Sequence, residues 1–299
     1  MSKLKALLLS DIHVDVNSGL NENFYAEFEL KLKSLPSIDV ILLAGDVGHS
    51  IEAHEEAFRI INKTTTAKSL IYIPGNHDIW IGATYKSKTE KVKENSSWFK
   101  LNELLPQVCQ KYGWHFLLGN PITLNEWGFA GTLGWYDYST RNRKWDDKVS
   151  LAQYSTMVWE HIVHMDSVYA LWNKSNVEMT DYFNQQLIKD CKQLKEMGIT
   201  KDKIVILTHH VPFKQGIIYH DDDISMDFFS AFMGSINLGQ IIIKNAKYAI
   251  FGHTHIRNDF FIEDLRALCY PMGYFDHEEA KSLPLEEFIQ RGISIHQFE

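Results

Sequence analysis

Five strand-length apolar runs in this chain each stop at a cluster of glycine, carboxylate, amide or imidazole, and that repeated ending limits what the chain can fold into. The first, Leu4 to Leu9, runs into Ser10-Asp11-Ile12-His13, and the second, ending at Ala44, into Gly45-Asp46. Ser69 to Ile73 leads through Pro74 into Gly75-Asn76-His77-Asp78. Lys203 to Thr208 leads into His209-His210, and Lys247 to Phe251 into Gly252-His253-Thr254-His255. Several runs are apolar at every position, the pattern of strands buried on both faces. Strands of that kind need a covering layer on each side, so the chain reads as α/β or a layered mix of strands and helices.

The intervals between runs carry helical spacing. Glu52–Lys63 places Ala53, Ala57, Ile60 and Ile61 on one side, and Thr180–Met197 lines up Phe183, Leu187, Cys191 and Leu194. Thr180 is expected to cap the second helix and Gly198 to end it. Val158, Ile162, Met165, Tyr169 and Trp172 step by four and three, which predicts a further helix over Ser155–Trp172. Further strands are expected at Gly128–Leu133 and Arg266–Tyr270. No repeat or low-complexity linker divides the 299 residues, so one domain is expected over 1–299, with a helical insertion or cap at about 135–200.

In an open sheet, ligands gather beyond the carboxyl ends of the strands. Convergence of the five endings would bring Asp, Asn and His side chains into one pocket. That oxygen and imidazole set, without thiolate, suits manganese, iron or zinc better than magnesium or calcium. Asp11 and His13 are two apart, as are His253 and His255, and in extended chain such pairs point the same way. Seven donors exceed one tetrahedral site and suit two ions sharing a carboxylate, the clamp used for displacement at phosphorus. Adjacent strand residues face opposite ways, so only one of His209 and His210 can face such a pocket.

The order Asp11-x-His13, Gly45-Asp46, Gly75-Asn76-His77-Asp78, His209, Gly252-His253-x-His255 resembles the calcineurin-like metallophosphoesterases. The resemblance implies a four-layer sandwich: two packed mixed β-sheets flanked by helices. It implies that Asp11, His13 and His255 hold one divalent ion, that Asn76, His209 and His253 hold another, and that Asp46 bridges them. It favours His209 over His210. His77 would protonate the leaving oxygen or stabilise transition-state charge, and Asp78 would orient His77. The implied cofactors are two divalent ions, Mn2+ or an Fe/Mn pair, with Zn2+ as an alternative. Protein serine/threonine phosphatases of the superfamily carry Asp-Arg shortly after Gly-Asp and an Arg before Gly-Asn-His-Glu. Here Val47-Gly48-His49 and Pro74 stand at those places, which argues against a protein substrate. The expected reaction is hydrolysis of a phosphodiester or small nucleotide. A phosphomonoesterase is the alternative, with a nuclease or a non-catalytic scaffold behind it.

Bulk properties narrow the partner. Net charge is −8 and no long basic stretch occurs, which argues against a polynucleotide and leaves a small phosphorylated substrate. No run approaches the roughly 18 apolar residues of a membrane span. The apolar run near the N-terminus breaks at Asp11, too early for a signal-peptide core. Three widely spaced cysteines and no CxxC pair suggest a reducing, cytoplasmic setting. Substrate contacts are sought in "GTLGWYDYSTRNRKWDD", where Trp135 could stack on a base and Arg141 and Arg143 could grip phosphate. His220 in "YHDDD" is a further candidate.

Overall fold

The protein is described from a computed structural model covering residues 3–81 and 96–299, the Glu278 and Glu279 side chains excepted. Thirteen strands are present among the described residues: β1 (Leu4–Leu9), β2 (Val40–Ala44), β3 (Ser69–Ile73), β4 (His115–Phe116), β5 (Ile122–Leu124), β6 (Trp127–Thr132), β7 (Val158–Trp159), β8 (Ile162–Val163), β9 (Ile204–Thr208), β10 (Tyr248–Phe251), β11 (Asn258–Ile262), β12 (Leu265–Cys269) and β13 (Ser294–Phe298). One sheet has the order β13-β1-β2-β3-β4 and the other β11-β12-β10-β9-β6-β5. In both, the inner strands run parallel; the second sheet carries an antiparallel strand at each edge, and the first carries one, β13, with the parallel strand β4 at its other edge.

The alternation of side chains along each strand explains the layering. Leu4, Ala6 and Leu8 of β1 share one buried cluster with Val40 and Leu42 of β2 and with Trp127, Phe129, Val205, Leu207 and Ile250 of the other sheet. This is the sheet-to-sheet core. Leu7, Leu9, Ile41, Leu43 and Tyr72 point the other way, onto helices that include Phe24–Lys33, Ile51–Thr64 and Leu105–Tyr112. On the far side, Ala130, Ile206, Ala249 and Phe251 meet helices Asn176–Glu196 and Ile236–Asn245. The result is the expected four-layer α/β sandwich. Its parallel strands read as unbroken apolar runs because both faces are covered.

Two local expectations change. The helix Asn176–Glu196 starts four residues before Thr180, because Ser175 and Glu178 form a reciprocal capping box. Thr180 lies inside the helix, and its hydroxyl donates back to the Asn176 carbonyl. The segment Ser155–Trp172 is not one helix. A helix Leu151–Thr156 ends at Met157 in the left-handed region, β7 and β8 form a hairpin about a two-residue turn with Glu160 at φ 52°, and a short helix Asp166–Tyr169 follows. The four-three spacing there is a coincidence that local turns override. Strands β11 and β13, which the apolar runs did not reveal, alternate between exposed and half-buried positions for most of their length as edge strands do.

Replacing Ser175 with Ala removes the cap of the helix that covers the second sheet. Urea unfolding is expected to show a loss of about 0.5–2 kcal/mol, and an unchanged midpoint would refute this account of where the helix begins.

Candidate active site

Loops at the carboxyl ends of β1, β2, β3, β9 and β10 converge where the two sheets meet. Cross-sheet hydrogen bonds fix the meeting. The His253 N–H donates to Asp11 Oδ1 at 2.8 Å, and His209 Nδ1 donates to the Ala44 carbonyl at 2.9 Å. The loop after β12 joins them, with the Met272 N–H on the Ser10 carbonyl. Close approach also requires glycine. A Cβ on Gly75 would lie 2.1 Å from Asp46 Oδ1, and Gly45 turns at φ 83° against Gly75.

Two groups of donors result. Asp11, His13, Asp46 and His255 form one, and Asp46, His209 and His253 the other, each with ligand atoms within 4.8 Å of one another. Asp46 belongs to both. Its Oδ2 lies 3.2 Å from His209 Nε2 and 3.7 Å from His13 Nε2. His13 Nε2 and His255 Nε2 are 3.1 Å apart. Asn76 completes the second group, with Oδ1 at 3.1 Å from both His209 Nε2 and His253 Nδ1. Asp11 and His13 do not converge as extended i, i+2 pairs. Asp11, His13, Asp46, His253 and His255 all adopt left-handed backbone, φ 44° to 69°, so tight turns rather than strand alternation aim them inward.

The electrostatics of the pocket are mixed: burial would lower His209, but the Asp46 carboxylate outweighs it and raises that imidazole to about 9. Burial pushes the Asp46 carboxyl up to about 6, with the Asp78 and Asp11 carboxylates adding to it against the pull of His209. Burial, then the neighbouring imidazoles, hold His13 and His77 well below the ordinary histidine range. Burial lowers His253 in the same way, with His209 the next cause. Neutral imidazole is the metal-binding form. With its Nδ1–H on the Ala44 carbonyl, His209 keeps Nε2 for the pocket. Asp11 Oδ2, His13 Nδ1 and His253 Nε2 are buried without a hydrogen-bond partner. Packed carboxylates and imidazoles with unsatisfied buried atoms fit divalent metal ions.

His210 turns away: its ring is perpendicular to that of His209, and Nδ1 bonds the Leu133 carbonyl. His77 lies beside the donors, with Nε2 3.9 Å from Asp46 Oδ2. Asp78 does not contact the His77 ring. Its carboxylate accepts the N–H groups of Asp46, Val47, Gly48 and Gly75 and the Tyr72 hydroxyl, and lies 3.1 Å from His54. His77 is instead oriented through Nδ1 by His49 Nε2 at 2.8 Å, with Asp15 3.1 Å behind His49 Nδ1. The Trp80 ring stacks on His77 at 3.8 Å, and the Tyr274 hydroxyl lies 3.5 Å from His77 Nε2.

His49, Asp15, Trp80 and Tyr274 were missed from sequence. The available signals were that His49 lies three residues after Asp46 in the same loop and that Trp80 closes the Gly75 turn; nothing pointed to Tyr274. The substrate candidates fare otherwise. Trp135 is 1% exposed, donates to Asn176 Oδ1 and stacks on Tyr136, so it packs a core and cannot meet a ligand ring. Arg141 is held by both oxygens of Asp146. Arg143 is exposed on the turn Arg143–Trp145. His220 is exposed in a loop pinned through its own N–H to Asp227. Two of the neighbouring acids are structural: the Asp221 carboxylate accepts from Asn142 and its backbone carbonyl from Lys144, and Asp223 caps Ile224–Asp227.

Comparison with known proteins agrees with this geometry. The Calcineurin-like phosphoesterase profile matches residues 4–257. The chain belongs to that family. It is a phosphoester hydrolase of a family that depends on two metal ions and acts on small phosphorylated substrates. None of the curated proteins matches it. The phosphopantetheinyl hydrolase of Mycobacterium tuberculosis shares the fold, with a TM-score of 0.69 and 16% identity over 99% of this chain and 95% of that one. A putative 5'-nucleotidase from Staphylococcus aureus gives a TM-score of 0.44 at 10% identity, over 90% of this chain and 48% of that one. No helix among the described residues is long and apolar enough to cross a membrane.

Asp78 carries a stability prediction. Burial alone would raise its pKa, but His54 and the backbone N–H groups outweigh it and hold the carboxyl below the usual range. A depressed folded-state value contributes stability that is full above about pH 4 and is lost as pH falls below it. Wild-type urea midpoints are therefore expected to drop between pH 7 and pH 3. Asp78→Asn should be weakened already at pH 7 and should show a smaller further drop. Equal drops in the two proteins would remove Asp78 from this role.

Proposed function

We propose that the chain hydrolyses a phosphodiester or small nucleotide at a two-metal centre. The observation that carries this reading is that Asp46 belongs at once to two donor groups drawn from both sheets. In this reading Asp11, His13, His255 and Asp46 hold one ion, and Asn76, His209, His253 and Asp46 the other. Mn2+ or an Fe/Mn pair fits the mixed donors best, with Zn2+ also compatible. When bound, such ions polarise phosphoryl oxygens and lower the pKa of water to near neutrality.

The remaining work falls to the chain itself. His77 faces the pocket through Nε2; held neutral, it donates a hydrogen bond there and stabilises the charge that develops on the leaving oxygen. His49 and Asp15 hold the ring through Nδ1, and Trp80 covers one face of it. Asp78 supports the Asp46 and Gly75 loops rather than His77. The three cysteines are free and buried, which suits a cytoplasmic enzyme.

Metal-loaded protein should be assayed on an aryl diester, an aryl monoester, cyclic nucleotides, dinucleotide polyphosphates and a phosphopantetheinyl ester. The last is included because the mycobacterial fold neighbour is named for that group. Diesters are expected to turn over fastest; a monoester preference would shift the reading to a phosphomonoesterase. Asp46→Asn is expected to lose metal, by elemental analysis, together with activity. His77→Ala should keep both ions and lose about 10²–10³-fold in rate. Full metal content in the first variant, or unchanged turnover in the second, would contradict these roles.

A further inference from the structure

Asn76 differs from the other pocket donors because only one end of its amide is an acceptor. Its oxygen must face His209 and His253 and its NH2 must face away, and the amide itself has no preference between the two orientations. The choice is made by a residue far along the chain. Asp166 is fully buried at the start of the short helix Asp166–Tyr169, and its Oδ1 accepts the Asn76 NH2 at 3.0 Å. A carboxylate offers acceptors only, so it can meet the NH2 and never the oxygen. The same Oδ1 accepts the Trp80 indole N–H at 2.6 Å, and Oδ2 accepts the Tyr136 hydroxyl at 3.1 Å. Burial, then the Asp166 carboxylate, push that phenol well above its usual range, which keeps it a donor.

We propose that Asp166 is a positioning residue of the reaction: it sets which end of the Asn76 amide meets the second ion and holds Trp80 against His77. One carboxylate thereby ties a metal donor to the ring stacked on His77. The inference rests on the two-metal reading above and extends it to a residue outside every motif. Partners that orient a metal ligand typically govern 10–100-fold in metal affinity.

The test is manganese titration of metal-stripped protein by calorimetry. Wild type is expected to bind two ions; fewer than two would overturn the two-metal reading itself. Asp166→Leu keeps the branched heavy-atom outline, at some added bulk, and removes the acceptors. It should bind the first ion as wild type does and the second about 10–100-fold more weakly. Retention of the first ion reports that the variant is folded. Unchanged affinity for the second ion would overturn the inference. Adding Asn76→Asp to Asp166→Leu should restore the second ion, because a carboxylate presents an oxygen either way round. Should the single variant fail to fold, Asp166→Ala, which adds no bulk at the buried position, takes its place: selective weakening of the second ion supports the role of Asp166, and two ions bound as in wild type overturn it.

Discussion

Beneath the metal-donor pocket lies one buried carboxylate that touches none of the surface the substrate would meet. Asp78 gathers the N–H groups of Asp46, Val47, Gly48 and Gly75 with the Tyr72 hydroxyl. Those groups end two parallel strands, β2 and β3, and would otherwise be orphaned donors at the base of the pocket. A buried unsatisfied donor costs about 1–3 kcal/mol, so one side chain decides whether the two loops can hold their shape. Asp46 and Asn76, the donors those loops present, inherit their positions from it.

The loops after β1, β2 and β10 carry backbone strain. Five pocket residues sit in the left-handed region, each at a cost of about 1–3 kcal/mol. Asp and His tolerate that region better than most side chains, but the choice is not a local preference. The strain is sustained by the strands beneath, which are clamped on both faces, and by cross-sheet bonds such as His253 N–H to Asp11. A rigid double sheet offsets turns that an isolated loop would relax.

The motif residues were legible because they sit at ends of continuously apolar strands, where local sequence encodes both the strand and its stop. Boundaries of β1 and β3 and the helix Ile51–Thr64 fall within a residue of the sequence reading for that reason. Where the reading failed, the deciding interaction lay elsewhere in the chain. Trp135 looked like a pocket rim from its neighbouring glycines, yet Asn176 and Tyr136 draw it into the core. Asp78 looked like a partner of its neighbour His77, yet it faces the backbone of residues some thirty positions earlier.

By itself the sequence determined the layered fold and pointed to the strand-end residues that the structure gathers, since periodicity and strand-end chemistry are properties of adjacent residues. Only the tertiary structure decided which donors share Asp46, that His49 rather than Asp78 orients His77, and that Asp166 reaches Asn76 across ninety residues. Those relations are set by packing one sheet on the other, and the order of residues along a chain carries no record of which distant side chains that packing brings within 3 Å.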